Sequence, residues 1–265
     1  MAHVLYDNFF LSNEVEDQFN SHLDLAQFCT IDRTLEGVAG MVRKINVYRA
    51  TNGTEKLAMG EGNSKSIEVS YTPEEYRIQL AQNRFDYYDE QAMTDPNLVP
   101  VGVRHMGTDM FNTVNADVFA EFNKTSVVVN APAPDFAAFV DAQAALNIEN
   151  IEGVSVFGFV SIKDMAKVRK ALKDDLKYVE AFAKQGYVGT VGGVNLYTKK
   201  DAVEGEIIVG TKDAVKLFIK KGTEVEQPQR AADEANVRQN SIFARKYYVA
   251  ALTNETKAVK IKIGA

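Results

Sequence analysis

The side chains best suited to chemistry are few and far apart. His3, His22 and His105 are the only histidines, and no HxxxH or HExxH spacing joins them, so a metal pair would need a long-range coincidence. Cys29, the only cysteine, sits in the mostly apolar stretch LAQFCTI without the neighbouring cations that lower a thiol pKa, and reads as a small buried hydrophobe. FDYYDEQ (85–91) gathers carboxylates that could form an acid–base pair if held in differing environments. At the foot of a strand pair the same run is read more simply as a solvated face or a subunit contact.

Gly186, Gly189, Gly192 and Gly193 in GYVGTVGG could suggest a phosphate cradle. No Lys-Ser/Thr follows, however, and the strand-like NLY stands where a helix N-terminus is required, so a tight strand connection is expected. RKALKDDLK (169–177) interleaves both signs of charge, as an exposed helix face does, and is not a nucleic-acid patch. No constellation argues for an enzyme, and none calls for a cofactor or metal.

The chain of 265 residues has 30 basic and 36 acidic side chains and is 46% hydrophobic, which suits one large or two modest domains with a real core and excludes disorder along most of its length. A net charge of −6 argues against tight non-specific DNA binding. One cysteine excludes an intramolecular disulfide and suggests a reducing compartment. The sequence shows neither a signal peptide nor eighteen consecutive apolar residues, so a soluble protein in the cytoplasm, with no membrane partner, is expected. The charge imbalance lies entirely in residues 1–36, where Asp7, Glu14, Glu16, Asp17, Asp24, Asp32 and Glu36 face only Arg33.

The elements follow from periodicity. Residues 1–36 read as an extended lead and a short helix capped by Ser12, an acidic amphipathic arm of the kind that lies on another surface. MVRKINVYRA (41–50) alternates as a strand; a second alternation runs from Ile67 past Pro73 to Leu80, giving a two-stranded excursion over 37–84 that needs a partner surface. Asp95-Pro96 opens a long helix whose apolar stripe is Val99, Val103, Met106, Met110, Val114 and Val118, ending near Asn123; Pro100, Gly102 and Gly107 are expected to weaken its early turns. A strand at 126–130 and a helix at 135–147 lead to a mixed unit: a buried strand over 153–161, one or two helices over 163–185, strands in VGGVNLYTKKD and EIIVG, and DAVKLFIKK as helix or strand. SIFARKYYVAAL (241–252) and KAVKIKI are expected to pair as a C-terminal hairpin with one wet face.

This order, with the stretches FGFVSIKDMAKVRK, GYVGTVGGVNLYTKKD and the run from EIIVG to KAVKIKI, resembles the tailed-bacteriophage major capsid proteins of the Johnson fold. Ala214-Val215-Lys216-Leu217, Val225-Glu226 with Arg230, and Tyr247-Tyr248 stand in the order typical of that family. The resemblance implies an α+β fold with an N-terminal arm (1–36), an extended β-hairpin loop (37–84), a peripheral domain (85–134 and 223–265) with a spine helix at about 96–123, and an axial domain (135–222).

It also implies a structural role: self-assembly through hexamers and pentamers into an icosahedral head in the host cytoplasm, a portal, a separate scaffolding protein or none, and weakly contacted double-stranded DNA. Inter-subunit contacts are expected at Lys44, Lys56, Glu61 and Lys65 of the loop and at Asn236 and Asn240, and some family members join such Lys and Asn residues covalently. The alternatives are an encapsulin-like nanocompartment shell and, from another class, a two-domain enzyme using 85–91 or the GYVGTVGG turn.

Overall fold

The computed structural model describes residues 23–51, 53–149, 153–173 and 189–264. The helix expected from Ser12, His3, His22, residues 174–185 of the expected helical stretch and Gly186 lie outside them. In chain order the elements are β1 (Thr30–Asp32), β2 (Val42–Ala50), β3 (Val69–Arg77), β4 (Gln79–Tyr88), α1 (Asp89–Thr94), α2 (Leu98–Phe122), β5 (Val128–Ala131) and α3 (Phe136–Ala145). There follow β6 (Val156–Val160), α4 (Ile162–Ala171), β7 (Thr190–Val191), β8 (Val194–Thr198), β9 (Glu206–Gly210), β10 (Val215–Glu226), α5 (Ala232–Asn236), β11 (Gln239–Leu252) and β12 (Ala258–Ile263).

Two sheets sandwich the long helix α2. In the six-stranded sheet, ordered β5-β12-β9-β6-β8-β7, both faces are buried. Val156 and Val160 of β6, Ile207 and Val209 of β9, and Val259 and Ile261 of β12 meet Phe139 and Ala142 of α3 and Met165 and Val168 of α4. The alternate residues Phe157, Phe159 and Ile208 meet Val118, Phe119 and Phe122 of α2. Burial on both sides is why VFGFV and EIIVG are continuously apolar. The second sheet, ordered β1-β10-β11-β4, lays Leu217, Ile219, Tyr248, Ile242 and Tyr87 against α2 along its length.

α2 buries Gly102, Met106, Met110, Val114, Val118 and Phe122, a stripe at every fourth residue. It starts two residues later than Asp95-Pro96 suggests. The Asp95 carboxylate accepts the Asn97 N–H at 2.9 Å and the Asp95 carbonyl accepts that of Leu98 at 3.2 Å, forming a turn ahead of the helix. Pro100 therefore falls in the first turn, where no amide donor is needed. Gly102 fulfils a packing requirement: a Cβ there would stand 2.6 Å from the Phe85 ring.

Several expectations change. β11 and β12 do not pair with each other; a 3-10 turn at Glu255–Lys257 carries the chain from one sheet to the other, because β12 finds β5 and β9 as neighbours. The expected wet face is partly spent, with Lys260 half-buried and 3.3 Å from Glu206. DAVKLFIKK is strand β10. The two-stranded excursion ends at Arg77, and β4 belongs to the four-stranded sheet through its pairing with β11. Sheet membership also runs across the expected domain boundaries: β5 and β12 join β6, β8 and β9, and β10 passes through residue 222 without a break. The tight strand connection is present, with Gly192 and Gly193 at φ +53° and +79° between β7 and β8, as a type I′ hairpin turn demands.

The glycines of α2 make opposite predictions. Gly107 has nothing within 4 Å of an added Cβ, so Gly107→Ala should raise stability by about 1 kcal/mol through helix propensity. Gly102→Ala should lower it, because overpacking against Phe85 costs about 1–3 kcal/mol. Urea denaturation of the purified protein checks both; equal effects would show that Phe85 yields freely.

Candidate assembly surfaces

β2 and β3 form a sheet of their own, in unbroken antiparallel register from Val42 opposite Arg77 to Ala50 opposite Val69. Such a ribbon is marginal in water by itself. It leaves Leu57, Met59, Ile67, Val69 and Tyr71 exposed. The tip is nonetheless shaped by its own polar groups. Glu55 accepts the Ser64 N–H and hydroxyl at 2.8 and 2.7 Å, and Glu61 accepts the Ala58 N–H at 3.1 Å. Thr51 donates its N–H to the Glu68 carbonyl at 3.0 Å and accepts the Glu68 N–H on its hydroxyl at 2.9 Å. Gly53 is buried, and a Cβ there would collide with Ile67 at 2.8 Å.

Among the described residues, the hairpin is fastened to the body at its root. Ile78 is buried between β3 and β4 and donates its N–H to the Met41 carbonyl at 2.8 Å. Tyr76 stacks on Phe218 with ring centroids 5.5 Å apart; burial, then its bond to Glu74, pushes the phenol pKa up. Lys220 Nζ donates to the carbonyls of Val38, at 2.7 Å, and Gly40. Gly37 and Gly40, with φ of +73° and +112°, supply the turn of the linker there.

At the opposite end of β4 a polar clamp gathers distant segments. The Asp89 carboxylate accepts from Arg230 and from Asn240 Nδ2, the latter at 2.8 Å, while Arg230 Nε donates to Asn240 Oδ1 at 2.8 Å. Glu90 pairs with Arg238, and Asp86 with Arg84 at 2.5 Å. Tyr87 is buried and its hydroxyl accepts from Gln227 at 3.1 Å. The FDYYDEQ run is thus pinned within the chain, and each of its carboxylates has an arginine partner.

Five of the six contact residues named from the sequence, Lys44, Lys56, Glu61, Lys65 and Asn236, are exposed. Lys44 faces Glu75 across the hairpin at 2.5 Å, and Lys65 lies 4.0 Å from Glu55. Asn240 differs: it is buried and both its polar atoms are engaged in the clamp. Hairpin root and clamp are separated by the length of β4, about 30 Å at the rise of an extended strand. The Lys220 and Arg230 contacts join residues 182 and 141 positions apart, so no local pattern could announce them.

The remaining chemical candidates are inert or apart. Cys29 is buried, and burial, then the Asp24 charge, pushes its thiol pKa up to about 11. His105 is exposed on α2, and among the described residues no three His, Cys, Asp or Glu side chains converge to hold a metal.

This arrangement, an α2 spine between two sheets with a long hairpin thrown outward, is the fold of the tailed-phage capsid proteins. No protein-family model matches the chain. In sequence it is 26% identical over 268 aligned positions to the major capsid protein of Staphylococcus phage phiMR11, across 96% of this chain and 92% of that protein. Among solved structures, the capsid of cyanophage P-SCSP1u matches with a TM-score of 0.69 at 14% identity, covering 89% of this chain and 86% of that one. The SrpI encapsulin of Synechococcus elongatus matches with a TM-score of 0.67 at 10% identity, over 92% and 88% of the two chains.

The clamp predicts a pH signature. Hydrogen bonds from Arg230 and then Asn240 hold the Asp89 pKa below the usual carboxylate range. A carboxyl whose folded pKa is depressed stabilises above its unfolded pKa of about 3.9 and loses that contribution as pH falls through the folded value. Asp89→Asn should therefore lower the urea midpoint at pH 7, and its gap from wild type should close as pH drops below about 4. A gap independent of pH would mean that the clamp does not act through charge.

Proposed function

We infer that this chain is a major capsid protein of a tailed bacteriophage, a structural subunit that assembles with copies of itself into the shell of the head. The observation that carries the reading is the sequence likeness to a phage major capsid protein over nearly the whole of both chains, falling on the matching fold. In this reading residues 1–36 are the N-terminal arm, 37–84 the extended loop, and α2 the spine helix; hexamers and pentamers build an icosahedral head, with a portal and a scaffolding protein as partners.

Physical chemistry supports the assignment. A ribbon with exposed apolar residues and no local core gains stability when laid across a neighbour, and a closed shell supplies that neighbour to every copy. A net charge of −6 suits a container whose packed double-stranded DNA must not adhere to the wall. Interfaces carry the function in this assignment, without a catalytic centre. Since Asn240 is occupied, Asn236 is the asparagine open to contact with a loop lysine, and the separation along β4 makes such a contact one between copies.

The likeness to the SrpI encapsulin supports a second reading, a nanocompartment shell with protein cargo in the cytoplasm. The contents separate the two: nuclease-protected DNA belongs to a phage head, a co-purifying enzyme to a nanocompartment.

Negative-stain electron microscopy with light scattering is expected to show closed shells or polyheads, in some cases only after co-expression of a scaffold. A small species that persists with the scaffold present would overturn the assignment. Replacing residues 52–67 by Asn-Gly closes the hairpin on the Thr51–Glu68 pair, and should give a folded monomer by circular dichroism that no longer assembles. Normal shells from that variant would remove the loop from the assembly mechanism.

A further inference from the structure

The two legs of the hairpin join the body in different ways. On the β3 side a single residue, Ile78, separates β3 from β4, and β4 runs on into the four-stranded sheet from Gln79 opposite Tyr248. Ile78 is 3% exposed, and Tyr76 stacks on Phe218 beside it, so this leg turns on a buried, covalent pivot. On the β2 side the chain leaves β10 once Asp32 has paired with Phe218, and a linker follows. Leu35 of that linker is buried, but Val38 and Met41 are exposed, so packing holds only its first part.

Beyond Leu35 the Lys220 ammonium takes over, through its bonds to the Val38 and Gly40 carbonyls. Among the described residues no other hydrogen bond joins residues 36–40 to the four-stranded sheet. The register of β10 on β11 shifts between Ile219 and Lys221, and a bulge of this kind re-aims a side chain. Lys220 thus reaches across the edge of β10 that β1 has left open after Phe218. An ammonium on a flexible stem carries three rotatable donors, so it can follow a carbonyl through a change of direction that would break a main-chain ladder. We propose that Lys220 limits the pitch of the hairpin: it tethers the β2 leg to β10 while the ribbon turns about Ile78, and so bounds the angles at which the tip meets a neighbouring copy. The consequence for assembly rests on the shell reading. A closed shell of hexamers and pentamers sets its copies against neighbours at more than one angle, and a leg held by exchangeable bonds meets that demand without coming loose. Lys220 is in this sense a positioning residue.

Two variants test this. Lys220→Met keeps most of the stem and removes the donors; Lys220→Arg keeps both charge and donors. Hydrogen exchange of the purified full-length protein should quicken about tenfold across residues 36–41 in Lys220→Met, with β2 and β11 unchanged and Lys220→Arg close to wild type. Wild-type exchange in Lys220→Met would overturn the tether. So would quickening that spreads through β11, which marks plain destabilisation. In electron micrographs Lys220→Met should give open sheets or shells of mixed diameter, and Lys220→Arg should restore the wild-type distribution. Uniform wild-type shells from Lys220→Met would remove Lys220 from the control of pitch. Wild-type protein run alongside isolates the shell reading: if it forms no shells even with a scaffold, that reading fails, and exchange across 36–41 decides the tether by itself.

Discussion

The fold depends on a layer of aromatic rings held between α2 and the six-stranded sheet. Phe157 and Phe159 project from β6 to the same side, where Phe119 and Phe122 of α2 and the ring of Phe28 meet them at centroid separations of 4.8 to 6.0 Å. Most are edge-on or tilted contacts, each worth about 0.5–1.5 kcal/mol beyond the area it buries. The same helix bonds the other sheet, through the Tyr248 hydroxyl on Asp117 at 2.6 Å and the Leu252 N–H on Glu121 at 3.2 Å. One helix therefore fixes the relation of two sheets that share no strand, and the outward hairpin inherits its position from them.

Charged groups are concentrated where an element must be stopped or joined. Asp164 is fully buried in the first turn of α4, yet accepts the Gly205 N–H at 2.8 Å, the Ser161 hydroxyl at 2.7 Å and Lys167 at 3.0 Å. It thereby fastens the helix start to the turn leading into β9, while Ser161 caps the helix by accepting the Asp164 N–H at 3.0 Å. The Asp89 clamp does the same for the end of β4 and the segment before β11. Such sites satisfy backbone and side-chain groups that a hydrophobic core cannot, and they sit at the ends of elements for that reason.

Much of this was legible in the sequence, and what was not shares one cause. The alternation of β2, the fourfold stripe of α2, the helical run over 135–147 and the all-apolar β6 are local patterns, and each element formed where its pattern lay, within a few residues. Alternation also marked Val259 and Ile261 as facing one way, but it states a face and not a partner. Two adjacent alternating strands were read as a hairpin, whereas the pairing of β12 was decided by β5 and β9, far away in sequence. The same gap separates Asn240 from Asn236. Both are asparagines in one short stretch, and only the positions of Asp89 and Arg230 make the first a buried strut and the second a surface group.

The setting of Cys29 has a practical meaning for chemical labelling of the protein. The chain has a single thiol, packed beside Phe28 and held in its protonated form. Thiolate-directed reagents need both access and ionisation, and this sulfur offers neither at neutral pH. A cysteine introduced on the surface is thus a selective attachment point for a dye, a spin label or a displayed peptide, with the native cysteine left in place. The interior that keeps the two sheets together also keeps the chain's one native thiol away from the surface.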